Sequence, residues 1–88
     1  MQLIRTKYFE KLYRKLPSIV RPRCERQLAL LADDLNDTRL HTKPVTGQTG
    51  VYSFRITRGY RGLFYVNEKQ QLIVFAVDHR KDIYRKHL

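Results

Sequence analysis

The hydrophobic period of this 88-residue chain changes once, and that change limits the folds open to it. Before residue 41 the apolar residues recur at helical spacing. Phe9, Leu12, Tyr13 and Leu16 fall at i, i+3, i+4 and i+7, and Cys24, Leu28, Leu31 and Leu35 form a second stripe. Pro17 stops the first helix, and Pro22 must lie in the first turn of the second, which starts near residues 18–21 and ends at Asn36-Asp37. After residue 50 the period is two. Tyr52, Phe54 and Ile56 alternate with Ser53, Arg55 and Thr57, giving one face for the helices and one polar face. Arg58-Gly59 reverses the chain into Tyr60–Val66, and residues 67–70 turn it into the apolar run Leu72–Val77. Residues 41–50 hold Pro44, Gly47 and Gly50 with no period and read as a surface loop; a short extended run, Gln2–Arg5, opens the chain.

The predicted order is β-α-α-β-β-β, an α+β fold with a small, mainly antiparallel sheet and a helical hairpin on one face. Residues 1–88 are expected to form a single domain. So few elements leave the other face open, with Arg55 projecting from it by alternation and Arg61 on the next strand.

Charge narrows the partners. Eighteen Lys and Arg against eight Asp and Glu give +10, which favours a polyanion, while 42% hydrophobic residues exclude a disordered basic tail. No apolar run approaches the ~20 residues that span a bilayer, and the N-terminus lacks a signal-peptide core, so a soluble, cytoplasmic protein without a membrane role is expected. A single cysteine excludes an internal disulfide, and the absence of CxxC or HxxxH spacing argues against metal or cofactor. Cys24, inside an apolar stripe, reads as a small buried hydrophobe. Lys7, Lys11, Arg14 and Lys15 read as the wet face of the first helix, and His41 and His87 as exposed residues with no role.

Three motifs follow one another after the loop: Tyr52-x-x-Arg55, then Gly59-Tyr60-Arg61 leading to Tyr65, then an apolar strand ending in His79-Arg80-x-x-x-Tyr84. Over residues 43–86 this series resembles the C-terminal half of the RelE/ParE superfamily of bacterial toxins; the first half agrees in element order and loose pattern. In the RelE branch the resemblance implies an mRNA interferase, an endoribonuclease that acts on mRNA at the ribosome, inhibits translation and is held inactive by a cognate antitoxin, expected here to be acidic. ParE-like members share the fold but block DNA gyrase, and generally lack the full Arg, His and Tyr set.

Cutting RNA without a metal requires the 2′-hydroxyl to attack the adjacent phosphorus, with a proton acceptor, a donor for the leaving 5′-oxygen and cations for the added charge. His79 is the candidate general acid or base and Arg61 the candidate partner of the transition-state phosphate. The resemblance implies that Tyr84 stacks on a base or orients the scissile group and that Arg55 and Arg80 hold flanking phosphates; Lys43 and Lys81 are further candidates for phosphate binding. Ser53 departs from members with a lysine at that position, leaving Arg55 as the only cation of its strand; Lys43 is the candidate substitute. Two readings stay open beside the ribonuclease: a gyrase-directed toxin, and a non-catalytic basic module that binds RNA or the ribosome.

Overall fold

The computed structural model describes residues 1–88. Strand β1 (Leu3–Arg5) leads into helices α1 (Lys7–Arg14) and α2 (Val20–Asp33); a 3-10 turn (Thr38–Leu40) precedes β2 (Lys43–Pro44), β3 (Tyr52–Arg55), β4 (Tyr60–Val66), β5 (Leu72–His79) and α3 (Ile83–His87). The sheet order is β1-β5-β4-β3-β2. Only the β1–β5 pair is parallel; β2, β3, β4 and β5 form an antiparallel series. The α+β architecture expected from the change of period is therefore the one observed.

Local chemistry explains the element ends. The Thr6 side chain accepts the Phe9 N–H and caps α1, and Pro22 occupies the third residue of α2, where a missing N–H costs little. The expected end of α2 at Asn36-Asp37 is corrected to Asp33. Asp37 instead caps the 3-10 turn by accepting the Arg39 N–H, so this pair opens the next element. Two elements were not anticipated. β2 falls inside the stretch read as loop, and α3 follows a polar segment; β5 also runs past Val77 because Asp78 and His79 pair with Arg61 and Tyr60.

The main core lies between the helices and one sheet face, where Phe9, Cys24, Leu31, Phe54, Phe64, Leu72 and Val74 are shut off from solvent. Arg5 fastens both helices to β1: its guanidinium meets Glu10 at 2.7 Å and Glu25 at 2.8 Å and lies over the Phe9 and Tyr13 rings. Cys24 is fully buried, and desolvation pushes its thiol up to about 12, so the thiolate is scarce at neutral pH and the group behaves as packing.

The second sheet face is not as open as expected. Ile83 of α3 packs with Val45, Leu63 and Ala76 in a small second core, and Ser53, assigned to the polar face, is buried. The physical reason is that β4 and β5 carry apolar residues on both faces, and α3 folds back to cover those on the second.

Candidate functional site

Strand pairing assembles the cations. Arg55 stands directly opposite Arg61 in the β3–β4 register, an arrangement that costs energy between like charges and therefore needs a reason beyond folding. The tight turn at Arg58-Gly59 fixes that register: the Ile56 N–H bonds the Tyr60 carbonyl at 2.9 Å, and Thr57 and Tyr60 bond each other across the turn. The Arg80 N–H continues the β4–β5 pairing to the Gly59 carbonyl at 2.8 Å, holding the chain after β5 against the same turn.

Arg61 is held rigidly. Its Nη1 donates to the carbonyls of Thr57, Arg58 and Tyr60 at 2.7, 2.9 and 3.0 Å, leaving Nε and Nη2 without protein acceptors. Burial first, then the nearby charges of Arg55 and Arg80, depress its proton affinity, while Tyr84 acts in the opposite direction. A guanidinium keeps its charge at neutral pH even so. The result is a fixed cation in surplus positive field. The carboxylate opposite it on β5, Asp78, is engaged elsewhere: one oxygen accepts the His79 N–H at 2.7 Å, the other meets His87 Nε2 at 2.8 Å.

His79 pairs with Tyr60 at the end of the sheet, so its side chain leaves β5 on the side opposite to those of Asp78 and, across the pair, Arg61. Its ring packs edge-on against Tyr60 at 5.3 Å, with Nε2 facing Gly59. Nδ1 accepts the Lys81 N–H at 3.2 Å, so a neutral ring held this way carries its proton on Nε2. His79 and Arg61 thus flank one turn but do not share a sheet face. Arg55 is half-buried, its Nε enclosed with no partner, and Arg80, Lys81 and Tyr84 are exposed around the β5–α3 corner. Lys43 pairs with Ser53 through the β2–β3 register, beside the position where it is the candidate substitute for a missing lysine, and lines a cavity with Tyr84.

His87, read from sequence as exposed and idle, is neither: its side chain is 5% exposed, held by Asp78 and by the Tyr8 hydroxyl on Nδ1 at 2.8 Å. It ties α3, which carries Tyr84, to β5 and α1. Nothing local foretells this, because Tyr8 lies at the other end of the chain. His87→Ala should leave the Asp78 carboxylate short of a partner, at a cost of about 1–3 kcal/mol. The expected readout is faster amide exchange across residues 83–87 and faster tryptic cleavage after Arg85 and Lys86; unchanged exchange there would show that α3 holds without this contact.

A five-stranded mixed sheet with helices on one face and a crowded arginine edge defines the chain as a small basic α+β protein. No protein-family model and no curated protein matches the chain. Solved structures do. A chain of the RelB-RelE antitoxin-toxin complex from Methanococcus jannaschii is 26% identical with a TM-score of 0.77, over 97% of this chain and 99% of that one. The RelBE2 toxin-antitoxin complex from Mycobacterium tuberculosis is likewise 26% identical, with a TM-score of 0.60 over 90% and 96% of the two chains. The isolated RelE toxin of E. coli shares the fold at a TM-score of 0.70 and 23% identity, over 94% and 89%. The chain belongs to the RelE-like toxin superfamily. No helix is long and apolar enough to cross a membrane.

Proposed function

We propose that this protein is the toxin of a toxin-antitoxin module and acts as an endoribonuclease on mRNA at the ribosome. The observation that carries the reading is Arg61, pinned by three carbonyls, facing Arg55 across the strand pair and left without a carboxylate. A preorganised cation in a surplus field gains most where negative charge grows, as on the phosphorus when a 2′-hydroxyl attacks. Arg61 stabilises that phosphate; His79 moves a proton at the end of the sheet, its Nε2–H suiting donation to the leaving 5′-oxygen, while water takes the proton that the attacking 2′-hydroxyl releases. Tyr84 stacks on a base or orients the scissile group, and Arg55, Arg80, Lys43 and Lys81 hold flanking phosphates. An acidic antitoxin covering the cationic edge is the matching inhibitor, by charge and by likeness to toxins solved with their antitoxins.

The test is primer-extension mapping of cellular mRNA after brief induction of the wild type beside a His79→Ala, Arg61→Ala double variant. New 5′ ends within translated codons, absent from the variant, are expected. Growth arrest with intact mRNA would move the assignment to gyrase, and no arrest would leave a basic binding module.

A further inference from the structure

A second cationic feature lies on the α2 side of the Arg58-Gly59 turn. Five arginines, Arg23 and Arg26 of α2, Arg39 of the 3-10 turn, Arg55 of β3 and Arg58, line one cleft of about 360 Å³. Gln27 forms its floor: the side-chain amide donates to the carbonyls of Arg39 and Arg55 at 3.2 and 2.9 Å, locking α2, the 3-10 segment and β3 together. Only Arg39 is matched by an acid, Asp37 at 2.8 Å; Arg23, Arg26 and Arg58 make no ion pair or side-chain hydrogen bond, and the Nε of Arg55 is enclosed without an acceptor. Folding does not need these charges so close together, since like charges repel.

We propose that this cleft binds the sugar-phosphate backbone of single-stranded RNA, extending the track that begins at Arg55 and Arg61 around the turn onto α2. The inference deepens the ribonuclease reading and rests on it for the direction of the strand. Guanidinium forks match phosphate oxygens in pairs, and several on a rigid floor suit a repeating anion. An acidic peptide fits less well. Peptides gain stable seating from apolar anchors in desolvated pockets, and the sole hydrophobic residue lining this cleft, Ile56, is already buried in the main core.

The test measures affinity for a fluorescein-labelled oligouridylate by anisotropy across a salt series, with the full chain carrying His79→Ala to keep the RNA whole. Each phosphate neutralised on a single strand contributes about 0.7 to the slope of log K against log salt, so adding Arg23→Gln, Arg26→Gln and Arg58→Gln should flatten it by about 2. A control with Lys7→Gln, Lys11→Gln and Lys15→Gln removes the same charge from the exposed side of α1 and should leave the slope nearly unchanged. Circular dichroism verifies that each variant is folded. An unchanged slope in the arginine variant, or an equal loss in the lysine control, would overturn the cleft; so would retained RNA affinity with lost binding of polyglutamate, which would assign it to an acidic peptide. The two readings fail separately: RNA left uncut by the protein with intact His79, but bound with a slope that depends on the arginines, removes the nuclease and keeps the cleft.

Discussion

Replacing Arg61 with glutamine should slow RNA cleavage by about 10²–10³-fold, the cost of losing one preorganised partner of transition-state charge, while the protein stays folded. Two effects on stability oppose each other. The three carbonyls of the Arg58-Gly59 turn lose their donor, and the repulsion across the Arg55–Arg61 pair disappears. The first costs about 1–3 kcal/mol and the second returns up to about 1 kcal/mol, so the melting temperature should fall by about 10 °C, well short of unfolding the protein at 25 °C. Arg61→Lys separates charge from geometry. A lysine keeps the cation but cannot bond the turn while presenting a planar fork, so it should recover little of the rate. Single-turnover cleavage beside thermal melts decides the matter: a rate loss that follows the unfolded fraction would make Arg61 a structural brace of the turn. Asp78 bears on the same result, since its engagement by His87 and the His79 N–H keeps the opposite carboxylate from neutralising Arg61 in the resting protein.

The elements that were legible in the sequence are those that bury one face over several residues. Phe9 and Leu12 on α1 with Leu16 just past its end at Arg14, and Tyr52, Phe54 and Ile56 around β3, carry a period because a core lies on one side of them. β2 is two exposed residues long and α3 buries only Ile83, too little for any period to register. α3 exists because of distant contacts, His87 to Asp78 and Tyr8, together with the packing of Ile83 on Leu63 and Ala76. A register shift on β5 opposite Leu63 and Phe64 was hidden for another reason: Leu72–Val77 is apolar on both faces, so alternation could not reveal the extra residue. At the site, motif spacing placed Arg55, Arg61, Arg80 and Tyr84 near one another, and the charge effects on Arg61 agree. It did not foresee that His79 leaves the sheet on the other side, nor the arginine cleft, whose members come from three elements and the β3–β4 turn with no shared spacing.

Gly62→Ala should be the most damaging single-methyl change in the sheet. Glycine inside a strand is ordinarily a weakness, and alanine would gain about 0.5–1 kcal/mol from backbone entropy alone. Here space decides instead. Gly62 pairs with Phe54, and a β-carbon at position 62 would overlap Cε1 and Cζ of the Phe54 ring. That ring has nowhere to go, being fully buried and packed edge-on against Phe64 at 5.9 Å. Overpacking of this kind costs about 3 kcal/mol, which for a chain of this size lowers the melting temperature by about 10–20 °C. Gly62 adjoins Arg61, so a strand displaced to relieve the clash also shifts Arg61 relative to Arg55, and cleavage should fall further than the folded fraction explains. Phe54→Leu supplies the complementary change. Alone it opens a void and destabilises; combined with Gly62→Ala it returns the ring's space to the new methyl, so the double variant should be more stable than the two single losses predict by about 1–3 kcal/mol. Additive losses in denaturant melts, or a Gly62→Ala protein as stable as its parent, would show that the Phe54 ring yields and that the close approach of β3 and β4 does not depend on glycine.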